Sequence, residues 1–266
     1  MTDSDLSRPS ASFPHKGPHK GPHTGMSRAA MRRDHAVITP DTHVPINLPG
    51  WSDIAAHVLI APEMGAKFTQ IDATCAPGAN ARPYTANDEW FLLTVDGTVT
   101  LEIDGSLYTL SVDDYAYLPP ATPWRLASTG GARFLAFSKR YIALDGGAPP
   151  AALFRSLRDV PADPFLGDEG ALLQVLLPDD LAFDWGINLF DFAPGGTLPQ
   201  VESHFMEHGL FLLAGQGVYR LGDSWYPVEA GDAIWMGPYV PQWYVAAGKS
   251  HSRYLYYKEM NRMPGA

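Results

Sequence analysis

FLLTVDGTVTLEIDG, residues 91–105, and GLFLLAGQGVYRLGD, residues 209–223, stand 118 positions apart and share one rhythm. Each has an apolar run, a glycine at the same place (Gly97 and Gly215), and a second run that closes on a glycine-containing turn. Apolar, β-branched and aromatic residues around such turns predict strand, turn, strand. Outward from these stretches the offset persists. Gly78 and Gly196 mark matching proline–glycine turns, Asp113 falls opposite Gly231, Trp124 opposite Gln242, and Arg140 opposite Lys258. One offset held over about 60 residues without a gap signals a duplicated unit. Strand-like runs at 133–141, 187–196 and 252–260 continue the pattern, with little helical periodicity. The expected fold is therefore all-β, two barrels or sandwiches in tandem.

Composition sets the outer limits. With 266 residues, 45% of them hydrophobic and 12% aromatic, the chain can fill two ordinary domains. Nineteen Lys and Arg against 29 Asp and Glu leave a net charge of −10, which disfavours a nucleic-acid partner that needs a basic face. Cys75 is the only cysteine, so neither an intrachain disulfide nor a cysteine-based zinc site can form. No apolar run approaches the roughly 18 residues of a membrane span, and the N-terminus lacks the apolar core of a secretory signal. A cytoplasmic protein without membrane partners is expected.

The expected division has four parts. Residues 1–35, rich in Ser, Pro, Gly, His and Arg, read as a disordered tail. The tail contains HKGPHKGPHTG, whose His15, His19 and His23 can gather stray metal, and Met26 offers a second start. Residues 36–145 read as the first barrel, and 146–170, with Pro149, Pro150, Pro161 and Pro164, as a linker. Residues 171–266 read as the second barrel.

Inside that second barrel, VESHFMEHGL (201–210) crowds Glu202, His204, Glu207 and His208 together. As a helix it would match the H-x-x-E-H pattern of some zinc peptidases. The flanks reject this: APGGTLPQ upstream breaks helices, and GLFLLAGQGVY downstream reads as strand. As a strand, Glu202 and His204 share a face, but extended chain would carry His208 about 13 Å beyond His204. A turn must bring His208 back on a neighbouring strand, with Gly209 beside that turn and Glu207 facing outward.

The spacing resembles the first cupin motif, G-x5-H-x-H-x3-E-x6-G. Here it runs Gly196, Glu202, His204, His208, Gly215, with every interval kept and Glu and His exchanged at the first and third ligand positions. The second motif is matched more loosely. Gly231 opens it and Gln242 stands at the ligand histidine, while Gly237, Tyr239 and Ala246 depart from its Pro, Gly and Asn. The resemblance implies cupin (jelly-roll) barrels and a ligand set of Glu202, His204, His208 and Gln242. Such a mixed N/O set with one negative charge suits Mn²⁺ or Fe²⁺, with other divalent metals such as Ni²⁺ and Zn²⁺ open. A lone histidine is more often a packing residue than a ligand, but two His, a Glu and a Gln all at motif positions outweigh that reading. The positions 118 residues earlier, Tyr84, Ala86, Trp90 and Trp124, offer no ligand set. The first barrel is therefore expected to bind no metal and to fill its lumen with aromatic rings.

The whole chain after the tail is similar to the bicupin family of (S)-ureidoglycine aminohydrolases. FAPGG, the exchanged Glu-x-His-x-x-x-His, GQGVY (215–219), WYPVEAGDAIWMG (225–237), Gln242 and YYKEMNR (256–262) carry the likeness. It implies a Mn²⁺-dependent homo-oligomeric hydrolase of purine and allantoin catabolism. That family releases ammonia from (S)-ureidoglycine and leaves (S)-ureidoglycolate, so the partner is a small ureido acid. It also implies substrate contacts from Glu202, Gln242, Tyr254, Lys258 and Tyr219, with Glu202 and Lys258 in catalysis. Independently, period-two alternation in SRYLYYKEM puts Tyr254, Tyr256 and Lys258 on one strand face. Two competing readings are a metal-dependent cupin dioxygenase and a non-catalytic small-ligand-binding cupin. Neither a helix-turn-helix pattern nor a basic segment follows the tail to favour a regulator.

Overall fold

Trp90 faces Leu118 across a strand pair, and 118 residues later His208 faces Met236 in the same way. Leu101 faces Leu126 as Tyr219 faces Tyr244, and Thr98 faces Ser111 as Gln216 faces Glu229. The computed structural model, which describes residues 26–83 and 87–264, thus shows the sequence repeat as a repeat of pairing register. The fold is all-β, two cupin barrels in tandem.

The offset breaks in the closing strand. Trp90 pairs with Ser138, whereas His208 pairs with Lys258, two residues later than 118 would place it. A longer turn before Ser252–Glu259 absorbs the difference. Ser138, not Arg140, is therefore the counterpart of Lys258. The expectation of two strands around Asp96 and Gly97 also changes. Asp88–Ile103 runs as one bent strand, with a register shift between Thr94 and Asp96. In the second half Gly215 does separate His208–Ala214 from Gln216–Leu221.

The two halves exchange strands. His35–Ile38 pairs with Ala233–Met236 and extends the large sheet of the second barrel, while Leu153–Ser156 pairs with Asp114–Leu118 of the first. The tail read over 1–35 is thus too long. Residues 1–25 lie outside the described residues, but Ala30–Met31 and His35–Ile38 are strands. Ala36 and Val37 are buried, so this segment covers a sheet edge with apolar side chains that composition alone undervalues. Arg28 adds a paired contact, its guanidinium donating at 2.6 and 2.9 Å to the carboxylate of Asp232. The segment read as a linker is likewise structured: Asp163–Phe165 and Asp168–Val175 form the far edge of the same sheet.

Three cores hold the molecule. Each barrel has its own interior, and a third cluster joins their outer faces. In it Phe91, Leu135 and Phe137 of the first barrel meet Trp185, Phe211, Trp235 and Tyr257 of the second. A buried ionic group crosses the same contact. Lys139 bonds Asp184 of the second barrel and lies 3.3 Å from Glu89, which also accepts a 2.8 Å bond from Tyr117. Burial raises the Glu89 pKa well above the usual carboxylate value.

Gly97 and Gly215 take φ of +69° and +80°, and a Cβ on either would lie 2.4 or 2.5 Å from the carbonyl oxygen of Gly131 or His251. Gly222 also has positive φ (+59°) but faces open space. Gly215→Ala should therefore cost about 2–3 kcal/mol in urea unfolding and Gly222→Ala only about 1 kcal/mol, since strain alone applies at the second.

Candidate metal centre

Glu202 and Gln242 exchange both backbone hydrogen bonds at 2.9 Å, which fixes the first and last candidate ligands side by side. His204 follows Glu202 after one residue, and Tyr239 N donates to its carbonyl at 2.7 Å. The chain then turns, so that His208 begins the next strand, His208–Ala214. The expected first strand is reduced to an isolated bridge between Glu202 and Gln242, the chain bends at Phe205, and His204 is the hub that the other three side chains approach. His204 Nε2 lies 3.2 Å from His208 Nε2, 3.4 Å from the Gln242 amide nitrogen and 3.8 Å from Glu202 Oε2.

The other ring nitrogens decide what this cluster can hold. His208 Nδ1 lies 3.2 Å from the Tyr257 carbonyl, and His204 Nδ1 lies 3.2 Å from the Met206 carbonyl. A carbonyl only accepts, so each Nδ1 carries the hydrogen, and each Nε2, the nitrogen left to bind a cation, points inward. Burial, with His204 and Lys258 nearby, holds the His208 pKa down to about 3, against the bond to Tyr257, so this ring is neutral at physiological pH. Two facing lone pairs repel unless a proton or a cation lies between them. A divalent cation about 2.1 Å from each nitrogen suits their separation. Glu202 supplies a carboxylate; the Gln242 amide oxygen accepts from the Tyr219 hydroxyl at 3.4 Å, and a half-turn of the amide would bring that oxygen to the same point and turn the NH2 to the Tyr219 oxygen. The residues fit a metal of the Mn²⁺ or Fe²⁺ class.

A cavity of about 190 Å³ opens on this cluster, lined also by Tyr219, Tyr254, Tyr256 and Lys258. This volume is smaller than the 300–1,000 Å³ of typical drug-sized pockets, so it suits a small metabolite. Tyr254, Tyr256 and Lys258 do share the lumen face of Ser252–Glu259, while Leu255 and Tyr257 on the opposite face join the contact between barrels. Gly186 pairs with Lys258, and its missing side chain leaves room for the lysine stem, since a Cβ there would lie 3.3 Å from Lys258 Cε. Burial lowers the Lys258 pKa, opposed by Glu202 and Asp179. Burial raises the pKa of Tyr254, Tyr256 and Tyr219, so these phenols stay protonated.

Two neighbours of the cluster pack against the first barrel. Glu207 points away from the cluster, and it is 1% exposed. Its carboxylate accepts from Lys67 N at 2.8 Å and Trp235 Nε1 at 3.1 Å, and burial pushes its pKa up to about 7. Gly209 is the second residue of the strand His208–Ala214. Phe68 of the first barrel lies over it, so that a Cβ would come within 2.2 Å of the ring. Sequence reasoning also missed Phe165, Phe190, Met206 and Met236 in the lining. Phe165 lies in the supposed linker, outside the repeat, where no periodic signal points to the lumen.

The first barrel is filled where the second is open. Trp90 and Trp124, in the places of His208 and Gln242, meet edge to face at 5.4 Å, and Trp51 packs against Trp90 and Phe134. Tyr84 and Ala86 lie outside the described residues.

Comparison with known proteins agrees with this architecture. A cupin domain model matches residues 188–257. The chain is 42% identical over 241 residues to (S)-ureidoglycine aminohydrolase of Arabidopsis thaliana, spanning 90% of this chain and 80% of that one. It is 41% identical to a probable (S)-ureidoglycine aminohydrolase of Oryza sativa subsp. japonica, spanning 90% and 77%. The chain belongs to the (S)-ureidoglycine aminohydrolase family. A crystal structure of a putative glyoxylate-induced protein from Pseudomonas aeruginosa superposes with a TM-score of 0.84 at 30% identity, over 94% of this chain and 97% of that one. Among the described residues of this family member, no helix is long and apolar enough to cross a membrane.

His208→Ala removes one of the two facing lone pairs. It should weaken Mn²⁺ binding by more than the 10–100-fold typical of an outer-shell change, read by metal analysis after dialysis.

Proposed function

We propose that this chain hydrolyses (S)-ureidoglycine to (S)-ureidoglycolate and ammonia, with Mn²⁺ held by Glu202, His204, His208 and Gln242. The observation that carries the reading is the convergence of this exchanged ligand set with Lys258 and Tyr254 in one small cavity of a family member. The bound metal would supply Lewis acidity, orienting and polarising the substrate.

The reaction replaces a C–N bond with a C–O bond. One water is consumed, its oxygen goes to the carbon, and ammonia departs with the electron pair of the broken bond and a proton derived from that water. Lys258 and Tyr254 meet the substrate carboxylate, an ammonium and a neutral hydroxyl that both donate hydrogen bonds. In this largely enclosed site the attraction is stronger than it would be in water. Glu202 accepts the proton of the attacking water and passes it to the leaving amine. Tyr219 holds the Gln242 amide, and Tyr256 stays a neutral donor against Asn188. Phe165 and Phe190 close the apolar side and limit competing water.

In this reading the second barrel, 171–266, does the chemistry and the first, 36–145, supports it. The protein works as a homo-oligomer in cytoplasmic purine catabolism.

The test generates ureidoglycine from allantoate in situ. Ammonia release should require both the protein and Mn²⁺ and proceed without O₂ uptake; oxygen consumption would instead support a dioxygenase. Lys258→Met should lower kcat by about 10²–10⁴-fold while bound manganese stays near one per chain. Retained turnover would reduce Lys258 to a packing residue.

A further inference from the structure

A second cluster of donors lies outside the cavity. His57 of the strand Ser52–Ile60 and Asp72 of the strand Thr69–Ala81 are direct cross-strand partners. His43 follows the short 3-10 turn Pro40–Thr42, in the segment that carries the chain from the second barrel's sheet to the first barrel. One donor atom from each of the three lies within 4.8 Å of the other two, a closeness that no other three His, Cys, Asp or Glu residues show among the described residues. The neighbours Ile54, Ala56, Ile71 and Ala73 face the first barrel's lumen, so His57 and Asp72 face outward.

The polar accounting is incomplete without a further group. His43 Nε2 and His57 Nδ1 are buried and have no hydrogen-bond partner among the described residues. Their rings are 5.4 Å apart, with a 34° tilt. Asp72 does not need them, because Arg133 already donates two 2.8 Å bonds to its carboxylate. Burial, with His57 beside it, lowers the His43 pKa and keeps that ring a neutral donor. Two buried nitrogens without partners are costly, whereas one cation shared between them would satisfy both.

We propose that His43, His57 and Asp72 form a second metal site, specific for an imidazole-seeking divalent cation of the Zn²⁺ class. Bonds of 2.0–2.2 Å place donor atoms about 3.0–3.6 Å apart, so small rotations of the two rings close the site. Arg133 offsets the Asp72 charge, which leaves the imidazoles as the main source of affinity. Mg²⁺ and Mn²⁺, which depend on oxygen ligands and charge, gain little there. Bound metal would pin the crossover segment at His43 to the first barrel. Arg133 also stacks over Phe211 of the second barrel at 5.6 Å, so the clamp lies at the rim of the contact between barrels.

The test uses full-length protein with His15, His19 and His23 replaced by alanine and the catalytic centre disabled by His204→Ala and His208→Ala. After dialysis against Zn²⁺ this protein should retain one zinc per chain, and adding His57→Ala should abolish it. Absence of zinc before that last change, or retention after it, overturns the proposal. A second readout leaves the catalytic centre intact. With the tail histidines replaced and Mn²⁺ saturating, Zn²⁺ should raise the thermal unfolding midpoint, and His57→Gln should remove the rise. An equal rise in both proteins also overturns it.

Discussion

Two imidazole nitrogens 3.2 Å apart, His204 Nε2 and His208 Nε2, are the constraint on which the second barrel depends. Each ring is held by a backbone carbonyl behind it, so neither can turn its lone pair away. Around this pair the barrel supplies what a cation requires: a carboxylate from Glu202, an amide from Gln242 fixed by mutual backbone bonds, and a tyrosine hydroxyl behind the amide. The cavity walls then carry donors suited to a small acid. Chemistry and fold meet in one detail, the turn between Glu202 and His208. It brings residues of one short stretch together, Glu202 from an isolated bridge and His208 from the strand that follows.

To the candidate centre in the second barrel, the first barrel contributes by packing rather than by ligation. Its own lumen is closed by Trp90 and Trp124, but its outer face bears directly on the ligand strand. Phe68 fits over Gly209, next to His208, and the backbone at Lys67 holds Glu207, the residue before His208. Trp235 bonds the other oxygen of the same carboxylate. The strand that presents His208 is thus backed across its whole outer side, which keeps the imidazole in register without help from the lumen. Duplication gave two barrels one plan, and divergence at a few positions made one the support of the other.

Much of this was legible in the chain. Period-two runs and glycine turns are local, so the strands and their 118-residue repeat could be read directly, and the candidate ligands followed from the resemblance to a cupin motif between Gly196 and Gly215. Long-range choices were not legible. His35–Ile38 looks like the end of a polar tail until the sheet edge it covers is known. The true counterpart of Lys258 is displaced because a longer turn leaves no mark on periodicity. Phe165 lines the cavity from a segment with no counterpart in the repeat. Strand parity put Glu207 outside the lumen, but parity does not tell whether another barrel covers that outside. His43, His57 and Asp72 come from three places with no common spacing, so only the folded chain brings them together.

The central claim is that Glu202, His204, His208 and Gln242 bind one metal through these atoms. Anomalous-difference density at the manganese edge, from crystals grown with Mn²⁺, tests it most directly. The account predicts one dominant peak per chain, about 2.0–2.3 Å from His204 Nε2, His208 Nε2, a Glu202 oxygen and the Gln242 amide oxygen. A dominant peak elsewhere, or manganese bound without both imidazoles, would contradict it.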